Sequence, residues 1–302
     1  MCALDEGDPT PVYAAHVRSD GRCYVEWNGP DYAQGDDMST FIFDLDGTIY
    51  LEDDLIPGAR DTLDALTADG HQVLFASNNT ALTPAAYARK LAAFGIAVAP
   101  DGLVTASGQT IAYLQTLTPV RTVIVLGPAA LTEEVEAAGF VLRHDTAQPV
   151  DAVVVGHDDA FSYERLRLAH AAVVAGARLI ATDGDRHVPR RDGLWPGTAS
   201  ITAAIETACG NSATVIGKPA GGMLRTLMAS VGAEAATTVV VGDSIATDIA
   251  GAAALGLYSV YVLSGIARFQ PEALTPSPSL MLPSVAALIP ALHHARPDLM
   301  KC

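Results

Sequence analysis

The run FIFDLDGTIY at 41–50 constrains this chain more than any other stretch. Phe41, Ile42 and Phe43 read as the end of a parallel strand buried on both faces. Asp44 and Asp46 stand where that strand stops. In an open α/β sheet, ligands bind beyond the carboxyl ends of the strands. Two carboxylates separated by one residue on an extended segment face the same way. A turn rich in Asp and Gly would also produce DxDG, so the choice depends on what the other strand ends carry.

From residue 38 onward, apolar strand patterns alternate with helical ones. Strands are expected at 41–45, 72–76, 122–126, 140–142, 152–155, 178–181, 213–216, 238–241 and 258–262. Helices are expected between them, with Thr83 as an N-cap and Pro84 at the first helical position of one. This alternation predicts an α/β fold, a doubly wound parallel sheet. Around Thr118-Pro119 the pattern restarts, and the texture of the first block returns later. One α/β domain is therefore expected to be interrupted by a smaller one. The host would be 38–118 and 197–302, the insert 119–196. Residues 1–37 differ in texture and read as an acidic N-terminal extension with a short strand near 23–27. A final helix is expected at 284–295.

The formal charge, 18 − 34 = −16, argues against nucleic acid or an anionic membrane surface as a partner. An anionic substrate would need a local cation, most simply a divalent metal. Cys2, Cys23, Cys209 and Cys302 are scattered without CxxC spacing. They read as reduced thiols of a cytoplasmic protein. Neither a signal peptide nor a membrane span is expected.

The other host strands also end in polar residues. One gives Ser77 and Asn78, a later one Lys218, another Asp243, with Asp248 a turn further on. Structure alone does not explain apolar strands that end repeatedly in charge. Clustered carboxylates suit a hard cation, and Mg²⁺ is the expected one. Lysine and short donors suit phosphate oxygens. A carboxylate beside a metal can attack phosphorus, and a second can move the proton.

FIFDLDGTIY, FASNNT, IGKPAGG and VVVGDSIATDIAGAAALG resemble, in order, the four motifs of the haloacid dehalogenase-like (HAD) hydrolase superfamily. The placement of the insert resembles the class-two cap. VVVGHDDAFSYERL, LIATDGD and WPGTAS resemble the subfamily IIA phosphatases. These include 4-nitrophenylphosphatases and phosphatases of phosphoglycolate, glycerol phosphate and nucleoside monophosphates. The resemblance implies Asp44 as nucleophile and metal ligand. It implies Asp46 as general acid and base, binding metal through its backbone carbonyl. Ser77 with Asn78 would hold the phosphoryl group, and Lys218 would bridge it to the nucleophile. Asp243 would ligate the metal, with Asp248 supporting it from behind. It also implies two copies pairing through the cap.

The cap loop at 182–194, TDGDRHVPRRDGL, departs from the subfamily's common ATNxD by carrying Asp183. A loop over a phosphatase site reads the leaving group, so Asp183 and Asp185 are substrate-binding candidates. Arg186, His187, Arg190 and Arg191 lie in the same loop. His157-Asp158-Asp159 lacks a third spaced ligand and reads as a turn. The expected activity is Mg²⁺-dependent hydrolysis of a small phosphomonoester: a sugar phosphate, glycerol phosphate, phosphoglycolate or nucleoside monophosphate. The alternatives are phosphoryl transfer to an alcohol, and a catalytically idle module that binds a phosphate ligand.

Overall fold

A computed structural model describes residues 15–17, 23–25, 39–99, 101–270 and 272–294. Of the N-terminal extension, it describes only the antiparallel pair Ala15–Val17 and Cys23–Val25. The rest of that expectation lies outside the described residues.

The larger sheet has six strands in the order Leu280–Leu282, Tyr258–Val262, Thr238–Gly242, Thr40–Phe43, Gln72–Ser77 and Leu103–Thr105. Every pairing is parallel. Thr40–Phe43 sits at the centre, buried throughout, because Phe41, Ile42 and Phe43 have helices and loops over both faces. The doubly wound α/β expectation therefore holds. The two outermost strands, Leu103–Thr105 and Leu280–Leu282, are three residues each and too short for a periodic signal.

The smaller sheet is also parallel, ordered Thr214–Val215, Arg178–Ala181, Ala152–Val155, Thr122–Leu126 and Val141–Leu142. Its edge strand Thr214–Val215 pairs with Arg178–Ala181. Helix Thr198–Cys209 packs Ile201 and Ile205 into the core of this sheet, beside Val153, Val155 and Leu179. Ending the insert at 196 is therefore corrected. The Pro196-Gly197 break starts a helix that buries its apolar face against the smaller sheet. The insert runs on until Ile216, whose backbone N–H donates to Ala181 at 3.0 Å.

Two hairpins fall in stretches expected to be irregular. Tyr50–Leu51 pairs with Asp54–Leu55 just beyond the DGT turn. In the cap, His187–Arg190 pairs with Gly193–Pro196. The hairpins meet through ion pairs: Arg191 reaches Asp54 at 2.8 Å and Glu52 at 3.3 Å, and Arg190 reaches Glu52 at 3.8 Å. The last helix is Leu288–His294, shorter than expected because a 3₁₀ turn, Val285–Ala287, takes its start. Among the described residues, no helix is long and apolar enough to cross a membrane.

Candidate active site

The carboxyl ends of the central strands converge as expected. Asp44 follows Thr40–Phe43, and its backbone N–H extends the ladder to Val241 at 2.8 Å. Asp243 follows Thr238–Gly242. Asp248 lies on Ile245–Ile249, a π-helical turn, a wide turn frequent at functional sites. It turns the Asp248 carboxylate back toward the strand end, where it accepts from the Ser244 N–H at 3.1 Å. The space is tight. Gly47 has φ +86°, and a Cβ there would stand 2.3 Å from an Asp243 oxygen. Only glycine serves both the turn and the close approach.

Lys218 is the buried cation of this cluster, 2% exposed. Its Nζ donates to Asp44 at 2.5 Å and to Asp248 at 2.7 Å. Carboxylate oxygens of Asp44, Asp243 and Asp248 lie within 4.8 Å of one another, a spacing one metal ion could bridge. Burial opposes the Lys218 charge, but Asp248, Asp44 and Asp185 outweigh it and hold the ammonium above its usual range. The carboxylates outnumber it. Burial, with Asp248 and Asp46 adding to it, pushes Asp44 up to about 7 against the pull of Lys218. Burial and the neighbouring Asp44 and Asp248 raise Asp243 well above the usual carboxylate range. A site this anionic repels phosphate unless a cation joins it. The all-oxygen donor set of the triad fits a hard divalent ion.

Asp46 is placed differently from its neighbours. Its two oxygens accept from Asn79 Nδ2 at 3.3 Å and from the Tyr50 hydroxyl at 3.4 Å. The Tyr87 hydroxyl in turn donates to the Asn79 carbonyl at 2.9 Å. Burial raises the Asp46 carboxyl, while Lys90, Asn79 and Arg190 pull it back. These holders were missed in the sequence. Asn79 was visible only as part of FASNNT, and Tyr50 only as the end of the first motif.

Ser77 is 1% exposed and lines the same cleft. Asn78 lines the cleft as well, with its side-chain amide engaged elsewhere. Its Oδ1 accepts from the Lys218 N–H at 2.9 Å, and its Nδ2 donates to the Lys218 carbonyl and to Asp185, each at 3.0 Å. It clamps the lysine loop and ties it to the cap. Asp183 also lines the cleft and is bonded within the cap. It accepts from Thr182 at 2.8 Å, from Thr198 at 2.9 Å and from the Asp185 N–H at 3.1 Å. It shapes its loop. Asp185 reaches the cleft, where burial and the nearby Asp183 hold its carboxyl well above the usual range. The cap also brings His157, His187 and Arg190 to the cleft wall.

The titration has a thermal consequence. The folded-state pKa of Asp44 is raised from 3.8 to about 7, so the folded protein keeps a proton that the unfolded chain has lost. Its stabilising contribution is present at low pH and fades as pH rises through about 7. In chelator, the melting temperature should fall between pH 5 and pH 8, and Asp44→Asn should flatten that slope. Stability rising over this range, or a slope unchanged in the variant, would contradict the assignment.

A parallel α/β core with carboxylates and a hydroxyl at its strand ends, met by a lysine that follows the edge strand Thr214–Val215 of a second α/β unit, defines a capped hydrolase whose carboxylate triad has the spacing one metal ion could bridge. A model of the haloacid dehalogenase-like hydrolase family matches residues 41–141, and a HAD-hydrolase-like model matches 215–288. Acid sugar phosphatase of Staphylococcus aureus is 32% identical over 230 residues, 76% of this chain and 88% of that protein. The crystal structure of 4-nitrophenylphosphatase from Thermotoga maritima is 32% identical with a TM-score of 0.74, covering 84% of this chain and 97% of that one. That of glycerol phosphate phosphatase from Mycobacterium tuberculosis, in complex with magnesium, is 30% identical with a TM-score of 0.71, covering 84% and 77%. The chain belongs to the haloacid dehalogenase-like hydrolases, in subfamily IIA, and is an enzyme of that class.

Proposed function

We propose that this hydrolase is a Mg²⁺-dependent phosphatase that cleaves a small phosphomonoester through an aspartyl-phosphate on Asp44. The Asp44–Lys218–Asp248 contact beside Asp243 carries the reading. It pairs a nucleophilic carboxylate with a buried cation and a three-carboxylate cation site. Relatives named as sugar, nitrophenyl and glycerol phosphate phosphatases support it.

The cation, held by Asp44, Asp243 and Asp248, supplies charge neutralisation for the phosphoryl oxygens when bound. The protein's own residues do the rest. The Asp44 carboxylate attacks phosphorus and becomes an acyl phosphate. Lys218 keeps Asp44 aligned and offers its ammonium to a phosphoryl oxygen. The Asp46 carboxyl, held by Asn79 and Tyr50, gives its proton to the departing oxygen. It then takes one from the water that releases phosphate. Ser77, which lines the cleft, would donate to the phosphoryl group.

Purified protein with Mg²⁺ should release phosphate from 4-nitrophenyl phosphate, and chelator should stop it. Metal-independent release would overturn the cation assignment. Asp46→Asn should lower kcat/KM, which reports transfer to Asp44, far more for alkyl phosphates than for 4-nitrophenyl phosphate, whose leaving group needs little protonation. General acid catalysis of this kind is worth roughly 10²–10⁴-fold. Equal losses of kcat/KM on both substrates would remove Asp46 from the acid role.

A further inference from the structure

We propose that Arg190 selects the leaving group, and that the substrate is a short phosphomonoester with a carboxylate on the group that departs. This rests on the phosphatase reading above.

Arg190 ends the strand His187–Arg190 of the cap hairpin, which packs on the turn Ile266–Arg268 of the core. It shares the cleft wall with Asp46 and Lys218. Asp46 meets the leaving oxygen in the proposed chemistry. A cation that the cap brings to the same wall as Asp46 stands on the side of the departing group, while Lys218, bonded to Asp44, serves the phosphoryl side.

The guanidinium is held in place but poorly satisfied. It lies over the Trp195 ring, 5.5 Å from the centroid, a cation–π contact that fixes its orientation. Its Nε is buried without a hydrogen-bond partner. Glu52 comes no closer than 3.8 Å, and Arg191 already holds that carboxylate at 3.3 Å. Buried donors left unpaired are rare and call for a partner. The arginine fork matches a planar carboxylate in two-point contact. The nearby His157 adds a second handle. Its Nε2 is taken by Asp159 at 2.8 Å, while its Nδ1 is buried and unpartnered. The cleft is small, ≈ 50 Å³, against about 300–1,000 Å³ for pockets that enclose drug-sized ligands. That favours a short leaving group over a nucleoside.

The test is a set of kcat/KM ratios measured with Mg²⁺. Phosphoglycolate and 3-phosphoglycerate are compared with the neutral 2-hydroxyethyl phosphate and glycerol 3-phosphate. Propane-1,3-diol bisphosphate serves as a second type of anion. The native enzyme should favour the carboxylates by about 10-fold or more, the scale of a charge-assisted hydrogen bond. Arg190→Gln should erase most of that ratio, Arg190→Lys should keep part of it, and Arg191→Gln should retain it. Ratios near one in the native enzyme, a ratio that survives Arg190→Gln, or a bisphosphate preferred over the carboxylates would each overturn the proposal. Failure of the phosphatase reading would look different: no hydrolysis of 4-nitrophenyl phosphate with any divalent ion.

Discussion

Asp44→Asn lowers kcat for 4-nitrophenyl phosphate by about 10⁴-fold or more, the scale on which removing a covalent nucleophile is felt. The residue is buried at the end of the central strand, 8% exposed. Asparagine fits the same space and keeps a hydrogen-bond acceptor for Lys218, so the fold survives. What it cannot do is form the acyl phosphate. The substitution also removes one charge from a site with an excess of buried carboxylates, so the metal-free variant should melt no lower than the native protein at pH 8. Turnover and thermal melting together check this. Activity within about 10-fold of native would transfer the nucleophile's role elsewhere.

Lys218→Met should damage both activity and stability. The ammonium is the partner that Asp44 and Asp248 share, at 2.5 and 2.7 Å. Removing one partner of a buried ion pair leaves charge uncompensated and costs about 3–5 kcal/mol. Methionine fills most of the volume, so the loss reports charge rather than a cavity. The unpaired carboxylates would have folded-state pKa values raised further above their unfolded ones. The deficit should therefore be small near pH 5, where they carry protons, and grow as pH rises toward 8. Urea melts at both pH values measure it. A loss below about 1 kcal/mol at pH 8 would show that the pairing is energetically idle.

The core of the site was legible because it breaks a burial rule. Strands such as Thr40–Phe43 and Thr238–Gly242 are buried throughout and then end in aspartate. Asp44, Asp243, Asp248 and Lys218 could be singled out on that ground and meet in the structure. The holders of Asp46 could not. Asn79 and Tyr50 reach it from separate elements, and no periodicity records that convergence. Asn78 and Asp183 line the cleft, and no periodicity records that their side chains also bond Lys218, Asp185, Thr182 and Thr198.

The insert was harder to delimit. Helix Thr198–Cys209 has an apolar face that either sheet could bury, and only the pairing of Thr214–Val215 with Arg178–Ala181 settles which. The hairpin that carries Arg190 reads as a polar loop because His187-Val188-Pro189-Arg190 has no clean alternation, and proline rarely sits inside a strand. That segment supplies half of the residues the cap adds to the cleft wall.

The central claim is covalent. Native enzyme and Asp46→Asn should be mixed with substrate and Mg²⁺, quenched in acid, reduced with borohydride and digested. An aspartyl-phosphate is reduced to homoserine, while a free carboxylate is not. Homoserine at position 44, more abundant in Asp46→Asn where release is slowed, is the expected result. Phosphate release with homoserine absent from position 44, or found at another aspartate, would contradict it.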